Sequence, residues 1–501
     1  MSDQLQLSSL SLPTIRQAGK VAVFDYDRTQ VTPGIVHFGV GGFHRAHQAR
    51  YVDELMRQGD AMDFGIIGMG VMASDSAMRD ALAAQDHLYT LVEKSPEGEP
   101  VARVIGSIVD YVFAPDSPAR AVETLCAENI RIVSLTVTEG GYNFDHVTGE
   151  FKTQHPLIKA DIEALRRGED SALTSFFGLT TAAIIRRRAA GTTPFTIMSC
   201  DNIQGNGDVA RTMFLAFAEA VDPELSTWIA EHITFPNSMV DRITPETTDG
   251  DRADVLENYG FRDLWPVVCE DFTQWALEDS FVADRPAFEK VGVQVVEDVV
   301  PYELMKLRLL NASHQGLCYF GYLAGHRLVH DIMADQRFRD FLLAYMEREA
   351  TPTLQPVPGI DLDDYRHQLI ARFGNAAVKD TVARLCAESS DRIPKWLLPV
   401  IRENIAAGRP VDLSAAIVAS WARYDEGIDE AGEPINIVDR MSERLRANAA
   451  RNRQDATAFI QDREVFGDLV DEPAFTTPYV RALESLHAQG SERTIDELLA
   501  D

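Results

Sequence analysis

The chain has 501 residues, of which 45% are hydrophobic and 25% are charged, and its formal net charge is −30. This length predicts more than one domain, and the composition is ordinary for a globular protein. A surface this negative repels phosphate groups, which disfavours binding to nucleic acids and to anionic membranes.

The first predicted elements are a strand at residues 35–39, a glycine turn, a helix at residues 46–56 and a second strand at residues 64–70. Strand, turn, helix and strand in this order form a β–α–β unit. Further strands are predicted at residues 103–108, 130–137 and 195–200. Helices are predicted between and after them, at residues 119–128, 175–190 and 209–220. This alternation predicts an α/β domain with an open, mostly parallel sheet.

The chain becomes mainly helical after about residue 297. Pro301 suits the first turn of a helix, and apolar spacing predicts a helix over residues 302–328. Later helices are predicted at residues 338–348, 364–373, 377–388, 397–407, 413–424 and 481–490. The predicted domains are therefore residues 1–297, which are α/β, and residues 298–501, which are mostly helical.

The five cysteines are an odd number without a CxxC pair, which favours neither a disulfide scaffold nor a zinc site built on cysteine. The first residues lack a basic start followed by an apolar core, and no apolar run approaches about 18 residues. We therefore expect a cytoplasmic protein.

The turn after the first strand is a candidate cofactor site. Gly39 and Gly41 follow the strand, and Phe43 lies where the next helix begins. Glycines allow the backbone to approach a pyrophosphate, and a helix N-terminus supplies N–H donors. His44 occupies the third position of the usual G-x-G-x-x-G pattern, so a purely structural glycine turn is the alternative. The β–α–β context favours a dinucleotide.

Asp75, beyond the second strand, is the candidate partner of the adenosine ribose hydroxyls. A carboxylate there would exclude a 2′-phosphate and so favour NAD over NADP. Asp75 lies further along the chain than usual, and a turn aspartate is the competing interpretation.

Lys306, Asn311 and His314 form the pattern K-x4-N-x2-H in the predicted helix at the start of the second domain. At about 100° per residue, Asn311 lies at about 140° and His314 at about 80° from Lys306, so the three share one broad arc. An amine flanked by apolar residues can act as a general base, and the other two groups can bind an alcohol or ketone oxygen. Such a set needs no metal ion.

Two further polar groups follow predicted strands or lie between prolines. Asn202 comes at the carboxyl end of a strand, where α/β sheets bind ligands, and a turn-forming Asp-Asn pair is the alternative. Asp241 precedes Arg242, and the two could form a surface ion pair.

In several segments the chain resembles the polyol-specific long-chain dehydrogenases, the mannitol dehydrogenase family. The resemblance covers residues 30–495. It is carried by residues 34–48, 134–142, 198–202, 239–245 and 306–314. It implies a Rossmann-like N-terminal domain followed by a helical domain.

The resemblance also implies roles for the candidate residues. Lys306 is expected to be the general acid/base, Asn202 and Asn311 to form an oxyanion hole, and His314 to orient the substrate. Asp241 is expected at the active site, and Arg372 is expected to contact a substrate hydroxyl.

The expected reaction is NAD-dependent, metal-independent oxidation of D-mannitol to D-fructose by a protein that can be monomeric. The alternatives within the family are a fructuronate reductase acting on D-mannonate, which Arg308 favours, and an arabinitol dehydrogenase. Ser74 stands where some family members have glutamate, which weakens the argument for strict NAD selectivity. A catalytically silent NAD-binding sensor is the alternative from another class, and the complete set of polar residues argues against it.

Overall fold

The computed structural model describes residues 5–96, 98–145 and 149–500. The chain divides into two compact units, Met1–Val299 and Val300–Asp501.

The strands of the described residues all lie in the first unit. In chain order they are β1 Pro33–Phe38, β2 Gly65–Gly70, β3 Tyr89–Lys94, β4 Val101–Ile105, β5 Ile108–Phe113, β6 Ile132–Leu135, β7 Thr196–Ser199, β8 Ser238–Asp241, β9 Val267–Glu270, β10 Gln274–Glu278 and β11 Gln294–Val296. Five of them form a parallel sheet in the order β5–β2–β1–β6–β7. The others form two three-stranded sheets, β11–β10–β8 and β4–β3–β9, each with one antiparallel pair.

Helices cover the parallel sheet because its strands are apolar on both faces. The helices of the first unit are α1 Leu12–Ala18, α2 Gly42–Ala46, α3 Gln48–Arg57, α4 Ser76–Ala83, α5 Pro118–Cys126, α6 Thr138–Gly141, α7 Pro156–Arg167, α8 Phe176–Ala190, α9 Asn206–Val221, α10 Pro223–His232 and α11 Asp249–Tyr259. Buried residues of α5, α7, α8 and α9 share one apolar core with the sheet. Residues of α3 and of the two small sheets form the core on the other face.

The strand predicted at residues 103–108 is wrong as a single element. The chain leaves β4 at Ile105 and starts β5 at Ile108, and these strands belong to different sheets. At the break, the Gly106 N–H donates to Asp53 Oδ1 and the Ser107 hydroxyl donates to the Ala49 carbonyl. At this break the chain therefore bonds to a side chain and to a helix carbonyl, whereas a continuous strand would bond to a neighbouring strand.

The helix predicted at residues 46–56 begins later and is preceded by a separate short helix. His47, between α2 and α3, has φ −118° and ψ −92°, which is outside the helical region. The glycine turn is therefore followed by one helical turn and then by a change of direction.

The second unit is helical in its described residues. Its α-helices are α12 Val300–Met305, α13 Ala312–Leu323, α14 Val329–Ala334, α15 Gln336–Tyr345, α16 Leu362–Phe373, α17 Val382–Cys386, α18 Ser389–Trp396, α19 Leu398–Ala406, α20 Asp412–Tyr424, α21 Ser442–Ala449, α22 Arg463–Phe466, α23 Pro473–Gln489 and α24 Ser491–Ala500. A Rossmann-like α/β domain followed by a mostly helical one is confirmed.

Two predicted helices of this unit differ from the structure. The helix predicted at residues 302–328 is α12, a π-helical segment Lys306–Asn311 and α13, and it ends at Leu323. Of the helix predicted at residues 377–388, only Val382–Cys386 is helical. A second π-helical segment, Met346–Ala350, follows α15.

Within the described part of the chain, no helix is both long and apolar enough to cross a membrane.

A buried carboxyl group holds the N-terminus of α20. The Glu349 carboxylate accepts hydrogen bonds from Leu413 N at 2.7 Å, from Ser414 N at 2.8 Å and from the Ser414 hydroxyl. Burial raises the pKa of Glu349 from 4.5 to about 7, although the hydrogen bonds act in the opposite direction. The folded protein therefore binds a proton at Glu349 more tightly than the unfolded chain does.

We expect Glu349 to make the free energy of unfolding depend on pH. Because its pKa is raised in the folded state, its contribution is fully present below pH 4.5 and is lost as the pH rises through about 7. The loss amounts to about 3 kcal/mol at about 1.4 kcal/mol per pKa unit. The free energy of unfolding of the wild-type protein and of the Glu349→Gln variant can be measured with denaturant across this pH range. The difference between the two free energies should change by that amount. A constant difference would contradict the assignment.

Candidate active site

The first unit has a cavity of about 1260 Å³ at the carboxyl edge of the parallel sheet. Gly39 follows β1 and Thr136 follows β6, and both line the cavity together with Asp75. Parallel α/β sheets bind ligands at this edge, where the strand order reverses. The volume and the glycine turn fit a dinucleotide.

The backbone of the turn passes very close to the neighbouring strand. Gly39 has φ +90°, and a Cβ atom there would lie 2.0 Å from the Thr136 carbonyl oxygen. The Gly41 N–H closes the turn by donating to the Gly39 carbonyl at 2.7 Å. Only glycine fits position 39.

A buried series of hydrogen bonds supports the Gly39 carbonyl. His37 Nδ1 lies 2.8 Å from Ser134 Oγ, and His37 Nε2 lies 2.8 Å from Thr136 Oγ1. The Thr136 hydroxyl donates to the Gly39 carbonyl at 2.7 Å. Burial lowers the pKa of His37 to about 3, so the ring is neutral. This series of hydrogen bonds runs from the interior of the sheet to the wall of the cavity.

We expect a Gly39→Ala variant to lose about 2–4 kcal/mol of stability, from the positive φ and the overlap with Thr136. Gly41→Ala is the matched control, because Gly41 has an extended backbone and its Cβ would meet no atom closer than 3.8 Å. Thermal unfolding of both variants tests the difference. Equal stabilities would refute the tight approach at Gly39.

The remaining cofactor candidates differ in position. Asp75 Oδ2 accepts hydrogen bonds from the Val71 and Met72 N–H groups, both at 2.9 Å. One of the two carboxylate oxygens therefore stabilises a turn, as the competing interpretation of Asp75 expected. Its other oxygen, Oδ1, accepts none from the described residues, and Asp75 lines the cavity. Gly41 and Phe43 do not line it. The Phe43 ring instead stacks on His47 at 4.9 Å.

Asn202 is exposed after the end of β7. Its neighbour Asp201 is buried and accepts hydrogen bonds from Thr138 N at 2.7 Å and from the Tyr142 hydroxyl at 2.8 Å. Burial raises the pKa of Asp201. Asp201 thus ties the segment after β7 to the segment after β6, and Asn202 is presented beside that junction.

Asp241 is buried at the end of β8. Arg242 pairs with Glu93 at 2.5 Å and also donates to the Ala46 and Glu270 carbonyls. The alternative of a surface ion pair between Asp241 and Arg242 is wrong in its location, since both residues are buried.

The second unit buries the three residues of the K-x4-N-x2-H pattern. Lys306 is 7% exposed, Asn311 is 4% exposed and His314 is 8% exposed. Within the described residues, Asn311 Nδ2 and His314 Nε2 have no hydrogen-bond partner. Buried polar atoms without a partner are costly, so each of them calls for a partner from outside the protein, such as water or a ligand.

Lys306 and Asn311 lie on a π-helical segment rather than on the predicted α-helix, and His314 lies on α13. The Ala312 N–H donates to the Leu307 carbonyl, five residues back. In this register residues five apart differ less in direction than they do in an α-helix, which separates them by about 140°. On the π-helical segment, Lys306 and Asn311 therefore project from the helix axis in more similar directions than the predicted α-helix would allow.

Four basic side chains act electrostatically on His314. Burial lowers the pKa of His314 well below its usual value, and Arg384, Arg372, Arg392 and Lys306 lower it further. His314 is therefore neutral at physiological pH. Its ring also lies 4.6 Å from that of Phe373. Arg372 and Lys306, both predicted site residues, thus influence the same imidazole.

The sequence analysis missed Thr136, Arg384 and Arg392. Thr136 lay inside the strand predicted at residues 130–137, and it stands at the ligand-binding edge because β6 ends at Leu135. Arg384 and Arg392 carry no local signal, since folding alone brings them to His314. Arg384 is paired with Asp380 through both carboxylate oxygens, and Arg392 donates to the Arg384 and Leu385 carbonyls. In the described residues, no group of three or more His, Cys, Asp or Glu side chains could hold a metal ion.

Comparison with known proteins identifies the family. Residues 33–290 match the mannitol dehydrogenase Rossmann domain, and residues 298–487 match the mannitol dehydrogenase C-terminal domain. The chain belongs to the mannitol dehydrogenase family. The resemblance inferred from the sequence is confirmed.

Full-length members of the mannitol dehydrogenase family are similar to this chain. It is 45% identical to the mannitol 2-dehydrogenase of Phaeosphaeria nodorum over 97% of this chain and 85% of that protein. The structure of Pseudomonas fluorescens mannitol 2-dehydrogenase in ternary complex with NAD and D-mannitol has a TM-score of 0.89 and 43% identity, covering 99% of this chain and 100% of that one. A substrate-free D-sorbitol dehydrogenase has the same TM-score, 35% identity, and coverage of 98% and 100%.

Proposed function

We propose that this protein is an NAD-dependent mannitol 2-dehydrogenase that oxidises D-mannitol to D-fructose. The observation that carries the proposal is the pair of buried, unpartnered atoms Asn311 Nδ2 and His314 Nε2 on the segment that buries Lys306. A polyol hydroxyl supplies the partners that these atoms lack. The similarity to a mannitol 2-dehydrogenase with bound NAD and D-mannitol supports the choice of substrate.

Bound NAD would supply the hydride acceptor. Gly39 and Thr136 would border its diphosphate, and Asp75 Oδ1 would accept a ribose hydroxyl, which disfavours the 2′-phosphate of NADP.

Lys306, as the neutral amine, takes the proton of the C2 hydroxyl while the C2 hydrogen leaves as hydride. Asn311 donates to the oxygen as negative charge develops on it. Neutral His314 donates or accepts one hydrogen bond and orients the polyol, and Arg372 contacts a further hydroxyl. Because the amine removes the proton, the proposed reaction needs no metal ion. For Asn202 and Asp241, the family resemblance supports roles as a second oxyanion donor and an active-site carboxylate.

A sugar acid is the second candidate substrate, because Arg372 and Arg392 add positive charge near His314. Arg308, which favoured the sugar-acid branch, is unsuited to bind a carboxylate from the substrate. Both of its terminal nitrogens already contact Glu403, at 2.6 and 2.8 Å. This commitment favours a neutral polyol.

The test is NADH or NADPH formation with D-mannitol, D-sorbitol, D-arabinitol and D-mannonate, each with NAD and with NADP. We expect kcat/KM to be highest for D-mannitol with NAD, by about tenfold or more over the other polyols. Preference for D-mannonate would replace the polyol proposal with the sugar-acid one, and preference for NADP would refute the role of Asp75. Absence of turnover with every pair would favour the silent sensor.

A further inference from the structure

The segment that carries Lys306 and Asn311 has a hydrogen-bond register that needs support from outside. It is π-helical over six residues, from Lys306 to Asn311, between two α-helices. π-Helical turns are rare and occur mainly as single turns at functional sites. Contacts with neighbouring elements must therefore offset the preference for an α-helix.

Arg308 lies in the middle of this segment and is held at both its backbone and its side chain. The guanidinium donates to Glu403 Oε1 at 2.6 Å, to Glu403 Oε2 at 2.8 Å and to the Thr353 carbonyl at 2.7 Å. The Tyr345 hydroxyl donates to the Arg308 carbonyl at 3.2 Å. A bidentate arginine–carboxylate pair fixes direction as well as distance. We call Arg308, Glu403 and Tyr345 the Arg308 clamp.

The partners of the clamp belong to a second irregular region. Tyr345 immediately precedes the π-helical segment Met346–Ala350. Asn404, next to Glu403 on α19, donates to the Glu349 carbonyl in that segment at 2.8 Å. Two adjacent residues of α19 thus hydrogen-bond to the two π-helical segments, one to each. Each π-helical hydrogen-bond register therefore helps to stabilise the other.

We propose that the Arg308 clamp positions Lys306 and Asn311 for proton transfer by holding the π register. Return to an α-helix would rotate Lys306 relative to Asn311 by up to about 100° and shift it by about 1.5 Å. The clamp residues act through Lys306 and Asn311, so they are positioning residues. This role rests on the proposed lysine mechanism.

The test is the Arg308→Met variant, which keeps the length of the side chain and removes the hydrogen-bonding fork. We expect kcat for D-mannitol oxidation to fall by about 10–100-fold, since a misplacement of about 1 Å can cost that much. The dissociation constant of NADH should stay within about twofold, because the cavity lies in the first unit. The pH profile of kcat/KM should change with kcat. Arg308→Lys should recover part of the activity, since an ammonium group can pair with Glu403 but cannot reproduce the fork.

Arg327→Met is the matched control for loss of stability. Arg327 also belongs to the second unit and pairs with the buried Asp429 at 2.8 Å, and it donates to the Tyr322 carbonyl at 3.0 Å. We expect its melting temperature to fall while kcat and the pH profile stay as in the wild type.

The outcomes separate the clamp from the mechanism. A folded Arg308→Met variant with kcat and pH profile equal to those of Arg327→Met would overturn the clamp, provided that Lys306→Met is inactive. If Lys306→Met is itself fully active, the lysine mechanism and the clamp that rests on it both fail. A fall in kcat of Arg308→Met with partial recovery in Arg308→Lys supports the clamp.

Discussion

The Lys306→Met variant is expected to lose about 10²–10⁴-fold in kcat for D-mannitol oxidation, the usual contribution of a general base. Methionine has a similar length and suits a site that is 7% exposed, so the fold should persist. NADH binding should be unchanged, because the cavity that fits the dinucleotide belongs to the first unit. Steady-state kinetics and NADH titration measure the two effects separately.

The matched control for this variant is Lys290→Met, which removes an exposed amine paired with Asp60 at 2.5 Å. It should leave kcat unchanged. In a Lys306→Ala variant, whose shorter side chain leaves space, small primary amines should restore part of the activity, and they should have no effect on the control. Near-wild-type turnover of Lys306→Met at neutral pH would refute the lysine mechanism.

The parallel sheet could be predicted because its signals are local. β1, β2, β6 and β7 are short apolar runs, and the helices between them keep their apolar spacing. The ligand-binding edge then followed from the direction of the strands, which led to Gly39 and also, when applied to β6, leads to Thr136. The two small sheets were missed because their strands pair across long stretches of sequence, such as β3 with β9.

The π-helical register was not visible as a hydrophobic pattern. Every residue from Leu307 to Leu310 is buried, so no polar face marked the helical period. The useful signal was the spacing of five between Lys306 and Asn311, which matches neither the third nor the fourth residue of an α-helical face. A pair of functional groups five apart in a buried helix therefore points to π geometry.

The charges around His314 could not be predicted either. Arg384 and Arg392 lie far from it in sequence, and their approach depends on the packing of α13 against α17 and α18. The same packing determines that His314 is neutral, since desolvation and the positive charge of the nearby arginines both disfavour the imidazolium. A histidine that titrates near neutrality would have suggested proton transfer. This one is better suited to orienting a substrate.

Arg308 shows how a residue type can mislead without its partner. Its presence in the sequence favoured a sugar acid, but Glu403 and Thr353 occupy the guanidinium. Glu403 is 95 residues further along the chain, so the ion pair forms only in the tertiary structure. The arginine therefore contributes to the shape of the catalytic segment in the proposed enzyme, and its charge is neutralised before any substrate binds.

The Asn311→Ala variant is expected to lose about 10²–10³-fold in kcat with little change in stability. Removing one donor to a developing oxyanion costs this much in comparable sites. The stability argument is separate: Asn311 Nδ2 has no partner among the described residues, so its loss removes an unsatisfied buried donor. That gain offsets the small cavity, and the net change should stay below about 1 kcal/mol.

Asn452→Ala is the matched control, because Asn452 Nδ2 donates to the Ala422 carbonyl and to Glu426 Oε1, both at 3.1 Å. It should lose about 1–3 kcal/mol of stability, since the buried Ala422 carbonyl loses this donor while Glu426 Oε1 keeps its contact with His487, and should keep the wild-type kcat. Kinetics and thermal unfolding of both variants therefore give opposite patterns. If Asn311→Ala instead lost stability and kept its kcat, its amide would be structural, and the developing charge on oxygen would need another donor.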